Sequence, residues 1–248
     1  MKKSLIIFLI TFSYALLYNH AMGQEKNADT AQQHRISENM DNAFNKAIGN
    51  QSRLYNGLSY KLYDDRNSVG NAYFKDTVGL VNGSVNYDGI VYTDVPLIYD
   101  IYHDLLVSRL YNGVLLYQLL SENVIDFDVF GHHFIRIQPG NASKLVPVGF
   151  YDELYNKKLQ LLAKRTKSIQ KGTRGYGVPI ITYSSENNYY LKKGDLYYDV
   201  NSRGKFFDVL KDKKKELKKY VKDNNISFGD NPEQVMTTLA NYYDKLTN

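Results

Sequence analysis

The feature that most constrains the fold of this chain is a series of short apolar runs, in residues 83–137, separated by two-residue turn signals. Two of these signals are Asp88-Gly89 and Asn112-Gly113. A tight hairpin turn needs positive φ at its central residues, and Gly, Asp and Asn adopt that conformation at little cost. The pattern therefore predicts an antiparallel β-meander.

The first turn signal also predicts a register. Around Asp88-Gly89, Tyr87 should lie opposite Ile90 and Val85 opposite Tyr92, so that one face of the hairpin is apolar. The other face carries mostly polar side chains, namely Ser84, Asn86 and Thr93. We expect that second face to contact water.

The runs that flank Asn112-Gly113 are different, because they are apolar on both faces. Residues 105–111 and 114–120 are rich in Leu, Val and Tyr. A Leu-rich run also fits a helix, but a central Asn-Gly between β-compatible residues favours two strands. Strands of this kind need a cover on both sides.

Three more pairs of runs predict hairpins. They are residues 125–129 with 134–137, residues 150–155 with 159–165, and residues 189–192 with 196–200. Each pair brackets a short segment that contains Gly or polar residues, which is typical of a turn. Residues 166–188 are polar and Gly-rich near their centre, so we interpret them as an inserted loop.

The C-terminal part of the chain changes to a helical period. One apolar stripe predicts a helix over residues 205–224, formed by Phe206, Leu210, Leu217 and Val221. Asn231 as N-cap, with Pro232 next and Gln234 three residues after the cap, predicts the start of a second helix. Its expected buried side is Val235, Leu239, Tyr242 and Leu246. These helices are the expected cover for the hairpin of residues 105–120.

The N-terminus is typical of a secretory signal. Residues 1–23 have a basic start, an apolar centre at residues 5–17 and small residues at Ala21 and Gly23, which predicts a cleaved signal peptide. A membrane anchor is the alternative, but the apolar part is shorter than the ~20 residues of a spanning helix. The sequence contains no Cys, so neither lipidation of an N-terminal Cys nor a disulfide is available.

Export is therefore predicted, to the periplasm, to the outside of the cell or to the surface of the outer membrane, with no transmembrane segment in the mature chain. Loss of Lys2 and Lys3 lowers the formal net charge from +5 to +3, so charge identifies no partner. Residues 24–53 form a polar leader. Apolar residues spaced by four fit a short amphipathic helix there, and its polarity fits a flexible segment equally well.

These patterns predict an α+β fold. Residues 54–200 form an antiparallel β domain, either a curved sheet or a partial barrel, and residues 201–248 form a helical pair packed on the sheet.

Several segments together resemble a known family. They are residues 87–89, 95–100, 134–137, 149–151, 161–165 and 211–217. The combination resembles a family of uncharacterised exported proteins of Gram-negative bacteria, over most of the mature chain from Leu54 to Tyr243. The resemblance implies export and one architecture of constant length. It implies no activity, ligand or catalytic residue.

Two groups of side chains suggest chemistry. Asp126 and Asp128 lie on one face of a strand near His132 and His133, which suggests a metal site, although consecutive histidines on a strand point to opposite faces. Solvated charges beside a turn are the simpler interpretation. Near the middle of the chain, residues 99–104 bring Tyr99, Asp100, His103 and Asp104 together, a combination suited to acid/base chemistry. Asp-rich loops between strands are common, and no catalytic motif accompanies them.

Two further segments suggest binding to other molecules. Residues 172–177, with Lys171 and Arg174, suggest an anion cradle, but they lack the spacing of a nucleotide site. The strand tyrosines suggest a carbohydrate or peptide groove, with sheet packing as the ordinary alternative. They include Tyr87, Tyr92, Tyr99, Tyr117, Tyr197 and Tyr198.

A lysine-rich helix suggests a binding surface for lipid, polysaccharide or protein. Its candidate residues are Lys211, Lys214, Lys215, Lys218, Lys219 and Lys222. Acidic neighbours offset much of this charge, so a solvated helix face explains the same pattern.

We therefore expect an exported binding or structural module of the cell envelope, with an envelope protein or a glycan as its partner. We predict no cofactor, no nucleic acid and no metal. One alternative is a peripheral envelope protein held to anionic surfaces by the lysine-rich helix. The other is a hydrolase that uses Asp100, Asp104, Asp126 and Asp128.

Overall fold

The computed structural model describes residues 53–64, 66–110, 115–229 and 231–247. The predicted signal peptide, the polar leader apart from Arg53, and the Asn112-Gly113 turn lie outside the described residues.

Strands and three α-helices make up the described structure. The strands are β1 (Leu58–Tyr60), β2 (Ser68–Val69), β3 (Val81–Tyr87), β4 (Ile90–Asp100), β5 (Leu105–Arg109), β6 (Leu116–Gln118), β7 (Val124–Val129), β8 (His132–Ile137), β9 (Gly149–Asn156), β10 (Leu159–Arg174), β11 (Val178–Lys193) and β12 (Leu196–Asp199). The helices are α1 (Arg203–Val209), α2 (Lys214–Asp223) and α3 (Pro232–Leu246).

The fold is α+β, as predicted, with one sheet packed against C-terminal helices. The sheet is open rather than a partial barrel, and its order is β1-β6-β5-β4-β3-β7-β8-β9-β10-β11-β12. The named pairings are antiparallel except that β2 runs parallel to β11. The predicted meander is divided in two, because the chain leaves β6 at one side and returns to place β7 beside β3.

The hairpin registers follow the turn chemistry. Val85 pairs with Tyr92 and Tyr87 with Ile90, as predicted. At the turn, Asp88 has φ 54° and Gly89 has φ 80°, which is the positive-φ pair of a type I′ turn. The hairpins β5–β6, β7–β8, β9–β10 and β11–β12 are also confirmed.

Both faces of β5 are covered, but not by the helices. Leu106 packs into the main core with Tyr99 and Phe127. Val107 points to the opposite face and packs with Tyr73 in a smaller cluster. The prediction that the C-terminal helices cover this hairpin is wrong, because residues 60–80 return across it and supply the tyrosines that fill that side.

The helices instead cover the other end of the sheet. A second core cluster joins them to Leu159, Leu161 and Leu191 of the β10–β11 hairpin. The predicted stripe is buried, with Phe206, Leu210, Leu217 and Val221 each at most 6% exposed.

The first predicted helix is broken at Leu210, which has φ −99° and ψ 34°. A 3-10 turn (Lys211–Lys213) follows, and within it Asp212 accepts hydrogen bonds from Lys193 Nζ at 2.7 Å and from Tyr243 Oη at 2.8 Å. These tertiary bonds tie the break to β11 and α3, while Leu210 N donates to Phe206 O and Lys213 N donates to Leu210 O across it.

The start of α3 is as predicted. The Asn231 side chain accepts a hydrogen bond from Gln234 N at 3.1 Å, and Pro232 occupies the first turn. The buried side is rotated relative to the prediction: Val235 and Leu239 are buried, but Tyr243 is buried in place of Tyr242.

The inserted loop predicted for residues 166–188 is wrong. β10 and β11 are each 16 residues long, and they pair without interruption from Leu159↔Lys193 to Arg174↔Val178. Composition misled the prediction because these strands are polar. Much of the hairpin projects beyond the sheet. Both of its faces contact solvent there, so polar side chains are suited to both.

Candidate functional site

A small cleft opens where the β10–β11 hairpin leaves the sheet. We call it the charged cleft; its volume is about 270 Å³. Its walls come from five places in the chain: the turn at residues 74–76, Ile101 in the β4–β5 turn, the start of β8, the middle of the β10–β11 hairpin, and the first turn of α3. Residues far apart in sequence therefore meet here.

The strand pairing explains why the cleft forms at this point. The β9–β10 pairing ends at Asp152↔Ala163. Beyond it, β10 continues with β11 alone, and period-two alternation places Arg165 and Lys167 on one face. Both residues are at most 7% exposed, so two cations are buried side by side in the cleft wall.

Asp152 is the central acceptor behind the cleft. Its Oδ2 atom accepts hydrogen bonds from Arg165 Nε at 3.0 Å and from Arg165 Nη2 at 2.5 Å. The same oxygen lies 2.8 Å from Nδ1 of His132. Because the Asp152 side chain is only 2% exposed, these partners supply what water would otherwise provide to the carboxylate.

Glu233 closes the network from the first turn of α3. Arg165 donates to both of its carboxylate oxygens, at 2.5 Å and 3.0 Å, and Tyr189 Oη donates at 2.7 Å. Burial disfavours the charged carboxylate, but these hydrogen bonds outweigh burial, so the pKa of Glu233 is lowered. For Tyr189, burial and the bond to Glu233 raise the pKa to about 12.

Lys167 fixes the opposite wall. Its Nζ atom donates to the backbone oxygen of Asn71 at 2.6 Å and forms an ion pair with Asp76. The Asn71 side chain in turn holds the adjoining turn, accepting from Tyr73 N at 2.9 Å and donating to Asp76 O at 2.8 Å. The turn that carries Phe74 is thus tied to the hairpin.

The charges of the cleft balance. The cations Lys75, Arg165 and Lys167 face the anions Asp76, Asp152 and Glu233. All except Lys75 are in ion pairs, and the Lys75 ammonium lies 5.4 Å from the centre of the Phe74 ring. At every charged lining group except Lys75, a charged ligand would therefore have to compete with an ion pair that is already formed.

The remaining polar and aromatic lining groups are a hydroxyl, an amide, an imidazole and a phenyl ring. Ser185 and Asn187 of β11 line the cleft. The Asn187 side chain interacts with Tyr189, whereas the Ser185 hydroxyl has no hydrogen bond with another described residue. His132 is held through Nδ1, which leaves its Nε2 atom for another partner. Phe74, whose ring centre is 5.0 Å from that of His132, adds an apolar wall.

The predicted acid/base group has a structural role instead. Asp100 is fully buried; its Oδ1 accepts from the backbone N of Tyr102 and of His103, both at 3.0 Å. Its Oδ2 accepts from Tyr60 Oη at 2.9 Å and from Tyr63 Oη at 2.6 Å. These bonds fix the β4–β5 turn and occupy the carboxylate.

Asp104 is equally occupied. It accepts from Tyr99 Oη at 2.5 Å, from Phe150 N at 3.2 Å and from Lys164 Nζ at 2.7 Å. Burial lowers the pKa of Lys164, and the pair with Asp104 opposes that effect. Because Asp100 and Asp104 bind such different partners, the structure does not assemble them into a hydrolytic pair.

The Asp and His residues considered as a candidate metal group are separated by strand alternation. His133 pairs with Asp128 at 2.8 Å on an exposed surface, whereas His132 turns to the other face and contacts Asp152. Asp126 accepts from Asn86 Nδ2 at 3.0 Å. Among the described residues there is no group of three or more His, Cys, Asp or Glu side chains suited to a metal ion.

The remaining predicted surfaces have mixed outcomes. Tyr87, Tyr92, Tyr99 and Tyr117 are buried in the core, which contradicts a groove built from them. Tyr197 and Tyr198 are half-buried on β12. The Gly-rich segment of residues 172–177, with Lys171 and Arg174, forms the exposed end of the β10–β11 hairpin.

The lysine-rich helix presents part of its predicted surface. At 100° per residue, Lys215, Lys218, Lys219 and Lys222 share the side of α2 opposite buried Leu217, and we call them the lysine face. All four are exposed, and none has an ion pair with a described residue. Lys211 is exposed before α2, and Lys214 is paired with Asp208 at 2.6 Å.

The charged cleft is not predicted from the sequence. The available signal was the alternation of Arg165, Lys167 and Ile169, which fits a strand. No local pattern connected those residues to Asp152 or Glu233, because Arg165 is 13 residues from Asp152 and 68 residues from Glu233 in the sequence.

In the described parts of the chain, no helix has both the length and the apolar character needed to cross a membrane. Comparisons with protein-family models, with curated proteins and with solved structures find no match to this chain.

Proposed function

We propose that this protein is an exported binding module of the cell envelope, and that the charged cleft binds one neutral sugar unit of a glycan. The observation that carries the proposal is the pairing of the charged lining groups. Since every charged lining group except Lys75 is already in an ion pair, the groups left for a ligand are Ser185, Asn187, His132 Nε2 and the Lys75 ammonium, beside the Phe74 ring.

This set of groups suits a sugar. Hydroxyl, amide and imidazole groups donate to and accept from sugar hydroxyls, while an aromatic wall packs against the apolar side of the ring. The volume of about 270 Å³ is close to the lower end of small-ligand sites, ~300–1,000 Å³. A single ring matches that size better than an extended peptide.

Export rests on residues 1–23 and on the resemblance to exported Gram-negative proteins. It is tested by expressing the full chain in a Gram-negative host and measuring the intact mass of the periplasmic and secreted protein. A mature N-terminus near Gln24 supports export. An uncleaved chain confined to the cytoplasm contradicts it.

Sugar binding is tested by saturation-transfer NMR with glucose, galactose, N-acetylglucosamine and their β-linked disaccharides. Glucuronic acid and glucosamine serve as charged probes of similar size. We expect transfer to one or more neutral sugars, and weaker transfer to both charged probes. Binding restricted to a charged probe, or to no probe, would contradict the proposal.

Variants locate the binding. Ser185→Ala and Asn187→Ala should each weaken the affinity about fivefold, the effect of one lost neutral hydrogen bond of about 1 kcal/mol. Ser184→Ala is the matched control, since Ser184 is the exposed neighbour on the other face of β11. An equal loss in the control would show that the sugar binds elsewhere.

The lysine face favours a second candidate function, peripheral attachment to an anionic envelope surface. Four unpaired ammonium groups on one side of α2 attract such a surface, and salt screens the attraction. Gln at all four positions should release the protein from envelope membranes at lower salt. The control replaces four exposed lysines elsewhere: Lys61, Lys144, Lys157 and Lys245. If envelope membranes retain the two variants equally at each salt concentration, attachment through the lysine face is contradicted.

A further inference from the structure

The far end of the β10–β11 hairpin is an exposed arm. We call residues 170–179 the hairpin arm; all ten are exposed. The strand β9, which flanks β10 on the side away from β11, has its last pairing with β10 at Ala163. The arm therefore extends past the sheet. Sixteen residues at ~3.3 Å each make the hairpin about 50 Å long.

The arm is cationic. Residues 166–185 contain no Asp or Glu, and their charged residues are Lys167, Lys171 and Arg174. Lys167 is bound in the wall of the charged cleft. Lys171 and Arg174 have no ion pair with any described residue, so both remain available to an anionic partner.

The tip also presents apolar groups to solvent. Tyr176 is 108% exposed and has φ 65°, between two glycines that allow the tight turn. Val178 is 44% exposed, and Pro179 and Ile180 follow it. The Tyr176 ring therefore contributes no buried apolar area to the core of the protein.

This combination fits the surface of an anionic bilayer. Tyr prefers the headgroup level, where its ring is in an apolar layer and its hydroxyl in a wet one. Lys and Arg are attracted to anionic headgroups. The paired strands satisfy each other's backbone groups up to Arg174↔Val178, so shallow entry of the tip exposes few unpaired amides.

We propose that the hairpin arm docks the protein on an anionic lipid bilayer, with Tyr176 at the headgroup level and Lys171 and Arg174 against the lipid phosphates. This surface is separate from the lysine face. Lys193, which is bonded to Asp212 just before α2, lies at the opposite end of the hairpin from the arm. Contact through the arm and contact through the helix are therefore distinguishable.

The absence of Trp from the sequence provides a site-specific test. In the full chain, Tyr176→Trp makes residue 176 the sole indole. Its emission is recorded with vesicles of mixed phosphatidylglycerol and phosphatidylcholine, and with vesicles of phosphatidylcholine alone. We expect a blue shift with the anionic vesicles and little change with the neutral ones. Attachment through another part of the chain does not imitate a shift at residue 176.

Two further variants complete the test. Adding Lys171→Ala and Arg174→Ala should raise the lipid concentration for half-maximal shift about twenty-five-fold, since each cation near an anionic surface contributes about fivefold. Asp223→Trp places the reporter on the exposed surface of α2 instead, where we expect no shift. Circular dichroism should be unchanged, since the arm lies outside the core.

Other results would overturn the proposal. A shift at residue 223 without one at residue 176 would assign the contact to α2. An unchanged emission with every vesicle would show that the arm does not enter a bilayer, as expected if it pairs with a strand of a partner protein. An undiminished shift after loss of both cations would show that anionic lipid is not what the arm recognises.

Discussion

Arg165→Met is the most direct test of the network behind the charged cleft. The substitution keeps the aliphatic stem but removes two hydrogen bonds to Asp152 and two to Glu233. The Arg165 side chain is 6% exposed and that of Asp152 is 2% exposed, so water does not replace the lost donors. Removing one partner of a buried ion pair costs about 3–5 kcal/mol.

We expect the lower end of this range. His132 Nδ1 remains 2.8 Å from Asp152, and Glu233, which is 28% exposed, keeps its bond from Tyr189. The free energy of unfolding should therefore fall by about 3 kcal/mol. It is measured by urea denaturation followed by circular dichroism.

A matched control and a double variant make the test specific. Lys171→Met removes a cation from the exposed end of the same strand and should change stability by less than about 0.5 kcal/mol. In the Arg165→Met background, Asp152→Asn removes the buried charge. The loss of stability in the double variant should therefore be about 2 kcal/mol smaller than the sum of the losses in the two single variants. A loss below about 1 kcal/mol for Arg165→Met, or strict additivity, would refute the reasoning.

Three other predictions concern the rest of the fold. Gly83→Ala should lower stability by about 3 kcal/mol in urea denaturation, because a Cβ there would lie 2.2 Å from Asp128 O; Gly79→Ala, with open space around it, should change little. Because the folded pKa of Glu233 is lowered, its charge stabilises the protein fully above pH 4.5, and that contribution is lost as pH falls through the lowered value. The stability difference between wild type and Glu233→Gln should therefore shrink at acid pH, and a difference that grows there would contradict this account. Asn231→Ala should cost about 1 kcal/mol by removing the cap of α3, and an unchanged melting temperature would show that the cap contributes nothing.

Local turn chemistry and periodicity were enough to predict many elements. The positive φ of Asp88 and Gly89 places Val85 opposite Tyr92, as the sequence indicates. The cap at Asn231 and the apolar stripe on the helices are local signals of the same kind, since each depends on residues within a few positions of one another. The fold class followed from those elements.

The polar strands were not predictable in the same way. Residues 166–188 carry the composition of a loop, yet they form strands because each pairs with the other along its whole length. The break at Leu210 likewise depends on the bonds that Asp212 makes with Lys193 and Tyr243, which are distant in sequence. In both cases, tertiary contacts override local preference.

By itself, the sequence determined the register at the Asp88-Gly89 turn, the start of α3 and the α+β class, because these depend on backbone preferences and on alternation within a few residues. The tertiary structure decided the strand order, the cover over each face of the sheet and the charged cleft. The cleft unites His132, Asp152, Arg165 and Glu233 from three strands and a helix. Their pairing is set by where distant segments meet in space, which no local spacing specifies.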